Sequence, residues 1–265
     1  MRPSLVAAIA ALSCVTPATE AQEAIAAARA LTLIVGPLLT AERDEHASPL
    51  RYDGAGPFMQ ASYVYRTERV ALAVRLGGAI GTLRSAMTGA DDLPRQELTR
   101  GWIDVEYAHV LGTPRARTRW LLGGGLAQRA TLLRHLTVPA DANSVGYALY
   151  SASIGPLFGI ERAIGRLGRL RAQLAVPVLA LIGRPYGGLY NKLTLIPDAL
   201  RLRLATVKAF QAVDVTAAHA VEVGGSTDLV LSYRLVVERY RDAEPFGSAS
   251  QAMSLGLALR LGRDR

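Results

Sequence analysis

The sequence predicts an all-β protein, an antiparallel up-and-down barrel of about ten strands, and three observations support this prediction. Apolar and polar residues alternate along most of the chain, which is the period of a β-strand because successive side chains point to opposite faces. Beyond the extreme N-terminus, the chain has no run of about 18 apolar residues that would form a transmembrane helix. The connections between alternating stretches are long and short in turn, as in a barrel whose strands run up and down.

The last two alternating stretches, 226–240 and 248–261, indicate which kind of barrel this is. In the second stretch Leu255, Leu257 and Leu259 share one face, whereas the other face carries small residues and isolated charges. Large apolar residues over about 9–11 positions match a tilted strand that crosses a bilayer. Small and ionic residues suit a narrow lumen, where space is short and charges pair. We therefore expect a transmembrane barrel with its leucines facing lipid.

The N-terminus has the features of a secretory signal peptide. Arg2 is followed by an apolar stretch over 5–12 and by small residues that end at Ala21, so residues 1–21 are excluded from the fold. Residues 22–28 are then a short lead and 29–265 form the barrel domain. The single cysteine, Cys14, lies within the signal, so no disulfide is expected. A retained N-terminal helix and lipidation of Cys14 are the alternatives.

The first five strands follow from alternation interrupted by turn residues. The first contains Gly36-Pro37 and must bend there, because proline lacks an N–H for the ladder. In the third, Val74 and Leu76 alternate with Arg75, and in the fourth Asp104 and Glu106 share the polar face. These strands are predicted at about 30–41, 51–66, 69–84, 96–111 and 117–134, with long connections at 42–50 and 85–95 and tight ones at 67–68 and 112–116.

The second five strands include one irregularity. Leu202 and Leu204 have the opposite parity to Val213 and Val215, so a bulge or loop element is expected between them. Gly224-Gly225 is a hairpin turn. The strands are predicted at about 144–163, 169–184, 205–223, 226–240 and 248–261, with long connections at 135–143, 185–204 and 241–247 and a further tight turn at 165–168.

The inward faces of these strands carry most of the candidate functional residues. Unpaired charges are costly in a narrow barrel, so we expect an arginine–carboxylate network that fills the lumen. A polar conduction path, and a catalytic role for Asp104 with Glu106, are the alternatives. The predicted lumenal charges are Arg66, Arg75, Asp104, Glu106, Arg119, Arg129, Glu161, Arg171, Asp214, Asp228, Arg234, Glu238 and Arg260.

Charge and composition limit the partners. The net charge of +8 comes almost entirely from arginine, since Lys192 and Lys208 are the only lysines. The arginines are scattered along the strands rather than gathered with aromatic residues in one patch, so nucleic-acid binding is not expected. Lipid and lipopolysaccharide phosphates are the expected anionic partners. No metal site, cofactor or oligomeric state is predicted.

Over residues 30–262 the pattern resembles small outer-membrane β-barrel proteins. The resemblance implies the outer membrane of a Gram-negative-type bacterium, tight turns in the periplasm, and a structural, surface or narrow, porin-like channel role. One departure is the C-terminus, which ends Leu259-Arg260-Leu261-Gly262-Arg263-Asp264-Arg265 instead of on an aromatic residue.

Two other functions remain open at this stage. The first is an enzyme at the outer rim, either a lipid A or phospholipid hydrolase or a protease resembling omptins. Such a site would use loop groups, namely Asp91, Asp92 and His46 or His135. The second is a soluble, exported β-barrel that binds an apolar ligand, which requires the leucine-rich faces to point inward.

Overall fold

The structure is a computed structural model that describes residues 28–44, 48–85, 95–113, 116–135, 146–185, 200–242 and 245–261. The signal peptide predicted over 1–21 lies outside these ranges, as do the loop groups His46, Asp91 and Asp92. Within them, no helix has the length and apolar character required to cross a membrane.

Long antiparallel strands form the whole described structure apart from turns and one short 3-10 turn at Gly165–Leu167. β7 and β8 together occupy one position in the wall, and β9 and β10 occupy the next. β12 pairs with β1, so the sheet closes into a barrel of 10 strands and confirms the predicted fold class. The segments are β1 Ala28–Asp44, β2 Ser48–Arg66, β3 Val70–Ser85, β4 Arg95–Leu111, β5 Thr118–His135, β6 Gly146–Ala163, β7 Arg169–Ala175, β8 Leu179–Pro185, β9 Leu200–Thr206, β10 Phe210–Gly224, β11 Thr227–Tyr240 and β12 Phe246–Leu261.

The register of the strands determines the dimensions of the barrel. From Val35, the path of paired residues through β2, β3, β4 and β5 reaches Tyr150 on β6. The opposite path through β12, β11, β10 and β7 reaches Arg162, twelve residues further along the same strand. The shear number is therefore twelve. Ten strands with this shear tilt by about 40° and enclose a backbone cylinder of about 10 Å radius.

The outer face is apolar around most of the barrel. Leu255 and Leu257 on β12 are 52% and 51% exposed, whereas Arg234 and Glu238 on β11 face the interior. This confirms the predicted orientation, and the soluble-barrel alternative, which required the leucines inside, is wrong. On β3 the outward apolar residues extend from Val70 to Ile80. At about 40° tilt this corresponds to a band roughly 25 Å tall, the height of the apolar belt of outer-membrane barrels.

Three strand boundaries differ from the prediction. The connection expected at 42–50 is shorter, because β1 continues to Asp44 and β2 begins at Ser48. Leu200–Thr206, of which the first five residues were expected in an irregular stretch, forms β9 and pairs with β8. The strand expected over 169–184 is interrupted between Ala175 and Leu179.

The two interruptions lie opposite each other and form a seam in the wall, made of 176–178 on one side and 207–213 on the other. Val176 and Val178 donate their N–H groups to β6, at 3.1 Å and 2.9 Å, and Pro177 has no N–H to donate. Across the seam, no described residue of 207–213 is paired with β7 or β8. The turn at 207–209 exchanges the outward and inward positions along the chain, because even-numbered Leu204 is exposed whereas even-numbered Phe210 is buried. Of the two predicted possibilities, a bulge or a loop element, the structure has the second, a turn between β9 and β10.

Candidate functional site: the barrel interior

An apolar layer fills the lumen at the end where the long connections lie. It consists of inward-facing side chains that the register places at nearly the same height on different strands. All are between 0% and 2% exposed. Its members are Leu83, Leu98, Ile182, Phe210 and Tyr240. Charges and small residues were expected throughout the lumen, so this layer is a feature that the sequence reasoning missed.

Below the apolar layer lies a central ion-pair cluster formed by β4, β5, β10 and β11. Arg234 Nη2 donates to Asp104 Oδ2 at 2.6 Å and to Asp214 Oδ2 at 2.5 Å. Arg129 Nη2 donates to the same Asp214 oxygen at 2.8 Å, and Arg129 Nη1 pairs with Glu238. Each arginine is therefore shared by two carboxylates, and Asp214 joins the two arginines.

A second group of charges extends toward the tight-turn end. Arg75 pairs with Glu106 and donates to Gln173 Oε1 at 3.0 Å. Arg171 lies 3.9 Å from Glu106 and 3.8 Å from Glu161, which also pairs with Arg66. The interior thus contains two adjacent ionic groups, whose members come from β2 to β7, β10 and β11.

Three of the predicted lumenal charges, Arg119, Asp228 and Arg260, lie at the tight-turn mouth and form no ion pair with the described residues of these groups. Arg260 Nη2 lies 3.0 Å from Asp228 and 3.0 Å from Glu222. Arg119 is 2% exposed and lies beside Glu161 in the register, but its two Nη atoms bond no described residue.

Other buried charges were not predicted. Arg100 Nη2 pairs with Glu42, and Arg100 Nε donates to Thr131 Oγ1 at 3.0 Å. Ser248 Oγ donates to the same Glu42 carboxylate at 2.9 Å. Arg100 lies four residues before Asp104 on β4, so the alternation of the sequence could have identified it as an inward residue. Glu42 was not predicted because it was assigned to a loop. Arg184, also inward and buried, places its guanidinium 5.6 Å from the ring centroid of Phe246.

Trp102 connects the ionic and apolar parts of the lumen. Its Nε1 donates to Gln60 Oε1 at 3.2 Å, and the guanidinium of Arg234 lies 5.9 Å from the ring centroid. The indole covers Gly77, its partner on β3, where an added Cβ would lie 2.8 Å from Nε1. The adjoining cavity, of about 50 Å³, is lined by Phe58, Trp102 and Arg234 among others. That volume holds about four waters.

Comparison with known proteins concerns the fold alone. No family model matches the sequence, and no curated protein matches it. The outer membrane protease OmpT from Escherichia coli superposes with a TM-score of 0.58 at 9% identity, covering 91% of this chain and 100% of that one. The fold is that of a small outer-membrane β-barrel protein. The translocator domain of the autotransporter NalP from Neisseria meningitidis has a TM-score of 0.44 at 11% identity, covering 87% of this chain and 88% of that one. Neisserial surface protein A has a TM-score of 0.36 at 9% identity, covering 88% of this chain and 99% of that one.

The two lumenal carboxylates considered for catalysis are both held in ion pairs. Asp104 is held by Arg234 and Glu106 by Arg75, so each carboxylate is occupied by a cation. The described residues contain no group of three or more His, Cys, Asp or Glu side chains that could hold a metal ion. His109 is exposed near the end of β4 and contacts Tyr107. The proposed rim groups Asp91, Asp92 and His46, and the side chain of His135, lie outside the described residues.

Proposed function

We propose that this protein is a non-conducting outer-membrane barrel of a Gram-negative-type bacterium, with a structural or surface role. The observation that carries the proposal is the apolar layer, whose side chains fill the lumen directly beyond the central ion-pair cluster. An ion that crossed this layer would exchange its hydration shell for apolar side chains, and the carboxylate of Glu42 near this level is already held by Arg100 and Ser248, which is a large barrier.

The arginine–carboxylate network narrows the remaining lumen in this proposal. A wall of about 10 Å backbone radius leaves little space once arginine side chains fill it. The cavity beside Trp102, of about 50 Å³, is small compared with a pore. The network therefore acts as an internal brace, and solute transport is not its role.

A surface role follows from the position of the long connections. The strand ends that flank 86–94, 136–145 and 186–199 all lie at the end closed by the apolar layer. In outer-membrane barrels the longer loops face the outside and the short turns face the periplasm. The closed end is then a stable platform for the loops that meet the cell exterior.

Conductance in planar lipid bilayers tests this function. The full chain is expected to give no stepwise current, whereas the double variant Leu98→Ala with Phe210→Ala removes part of the apolar layer and is expected to conduct. Leu257→Ala, on the lipid-facing side of β12, is the matched control and is expected to give no stepwise current. Heat-dependent migration on a gel establishes that each variant is folded. Regular stepwise currents from the unmodified protein would show that the lumen is open.

A further inference from the structure

A second cavity lies directly behind the seam. Val176 and Pro177 line it from one side of the seam, and Ala212 and Val213 line it from the other. Its volume is about 30 Å³, which is space for about two waters. We call it the seam cavity. It lies where the interior of the barrel is closest to the irregular part of the wall.

The seam cavity is formed by a bulge and by small side chains. Leu157 and Ile154 on β6 are three residues apart. Their partners Ala175 and Leu179 are four residues apart, so the facing chain carries one extra residue. Six of the residues that line the cavity have small side chains, namely Gly125, Ala127, Ser153, Gly155, Ala175 and Ala212.

One wall of the seam cavity is polar. It is lined by Asp104, Glu106, Arg129 and Asp214. Asp104 Oδ2 accepts a hydrogen bond from Arg234 at 2.6 Å, whereas Asp104 Oδ1 is buried and accepts none from the residues that the structure describes. A buried carboxylate oxygen without a donor is costly, so a molecule in this cavity that donates one hydrogen bond would be stabilised.

The charges beside the cavity favour an uncharged ligand. The central ion-pair cluster and the second ionic group together contain five arginines and five carboxylates, namely Arg66, Arg75, Arg129, Arg171, Arg234, Asp104, Glu106, Glu161, Asp214 and Glu238. An ion that entered beside these paired charges would itself be buried without a counterion, which is costly. A hydroxyl group donates a hydrogen bond without adding a charge.

The outer side of the seam is apolar. Leu174 and Val178 are exposed on one side of it, and Val213 is exposed on the other. The described residues 207–213 form no ladder with β7 or β8, so the wall can open there without breaking backbone pairs. An alkyl chain that lay in the seam would contact apolar side chains and the surrounding lipid.

We propose that the seam cavity binds the hydroxyl head group of an uncharged, single-chain amphiphile, and that the alkyl chain of this ligand extends through the seam into the bilayer. The hydroxyl group donates to Asp104 Oδ1. A cavity with space for about two waters admits a hydroxyl and the carbon that bears it, but no larger head group. The ligand enters from the side, so the site needs no open lumen and goes beyond the proposed function.

Quenching of tryptophan fluorescence tests this proposal. The full chain with Trp120→Phe, in lipid vesicles, retains Trp102 as its sole tryptophan, two residues before Asp104 on β4. The probe is 2-bromododecan-1-ol, whose bromine lies beside the hydroxyl-bearing carbon and quenches an indole at short range. Saturable quenching of Trp102 is expected. 2-Bromododecane, which has no hydroxyl group, and 2-bromododecanoate, which is charged, are expected to give no saturable component.

Two variants fill the cavity. Ala127 lies opposite Asp104 in the register, and Ala127→Leu is expected to weaken saturable binding by about tenfold or more. Gly125→Ala is the milder variant, because its added Cβ would lie 3.6 Å from the nearest atom, and it is expected to weaken binding less. The matched control is Ala130→Leu, on the exposed face of the same strand, which is expected to bind as the unmodified protein does. Heat-dependent migration on a gel establishes that each variant is folded.

Three results would overturn the proposal. The first is quenching without saturation by the alcohol, which would show that the cavity holds water only. The second is an equal saturable component with the bromoalkane or the carboxylate, which would show that Asp104 does not select a neutral donor. The third is the same affinity in both cavity-filling variants as in the Ala130→Leu control, which would place the ligand elsewhere on the barrel.

Discussion

At the scale of single residues, the interior is governed by the cost of burying charge. Arg234 and Arg129 are nearly enclosed, and each is held between two carboxylates. Removing one partner of such a group is far more costly than removing an exposed ion pair, because the remaining charges stay buried without compensation.

Arg234→Leu is accordingly expected to lower the free energy of unfolding by about 3–5 kcal/mol, since Asp104 and Asp214 lose their shared cation. Urea unfolding in lipid vesicles, followed by tryptophan fluorescence, measures the change. Arg134→Leu is the control. Its partner Glu97 lies 3.9 Å away and both side chains are about half exposed, so a loss of less than about 0.5 kcal/mol is expected. Similar losses for the two variants would show that the cluster is not buried as described.

Gly77 provides a prediction about packing. An added methyl group there would collide with the indole of Trp102, so Gly77→Ala is expected to destabilise the barrel by about 1–3 kcal/mol and to move the indole into a wetter position. In a Trp120→Phe background, Trp102 is the sole reporter, and a red shift of its emission is expected.

The neighbouring Gly78→Ala is the matched control, because its added Cβ would lie 3.4 Å from the Arg100 carbonyl and no closer to any other atom. An unchanged spectrum for Gly77→Ala, or the same shift for both variants, would contradict the packing of Trp102 over Gly77.

At the scale of elements, the seam is the irregular part of an otherwise continuous wall. In a membrane, backbone groups that lack partners are costly, so the seam is the place where the wall opens most easily. The N–H of Arg241 on the β11 side donates to the carbonyl of Ala209 at 2.9 Å. Because backbone groups of successive residues on a strand point to opposite neighbours, this bond determines which residues of β10 bond to β11. The backbone groups of Ala212 then point to the seam, and those of Val213 point to β11.

We therefore expect the amide of Ala212 to exchange with deuterium at least tenfold faster than the amide of Val213, as measured by NMR in detergent micelles. The two residues are adjacent on one strand, so depth in the micelle is matched. Equal protection of the two amides would mean that the ladder is closed across the seam.

The lipid-facing side of β12 gives a prediction that depends on depth. Leu255 lies near the middle of the apolar band, and Gln251 lies four residues closer to the long-loop edge. Leu255→Arg is expected to cost about 2–4 kcal/mol and Gln251→Arg about 0–1 kcal/mol, because the cost of a cation falls toward the interface. Urea unfolding in vesicles measures both values. Equal costs would contradict the assigned depth of the strand.

At the scale of the whole molecule, polarity reverses along the barrel axis. In the membrane band, leucines face outward and ion pairs face inward. At the long-loop end, Leu83 and Leu98 fill the interior, while Arg84 and Glu97 stand outside at the same height. β2 has 19 residues and rises about 45–50 Å, more than the hydrocarbon core of about 30 Å. The upper barrel therefore extends above the outward apolar band and packs around an apolar core.

Much of this architecture was predictable because alternation is a local property. The parity of Leu255, Leu257 and Leu259 predicted which face meets lipid, and the same rule placed Arg75, Asp104 and Arg234 inside. The conflict between Leu204 and Val213 predicted the irregular turn. Arg100 obeyed the same parity and was overlooked, and Glu42 was lost because β1 was drawn too short.

Parity along a strand, and with it the lipid-facing surface and the inward charges, could be read from the order of residues alone. The partners of those charges could not. Arg129 and Asp214 are 85 residues apart and meet only because the shear brings β5 and β10 to matching heights. The closed apolar layer arises in the same way, from inward side chains on distant strands that reach one level. Height in a barrel is a property of the closed register, so only the tertiary structure decides it.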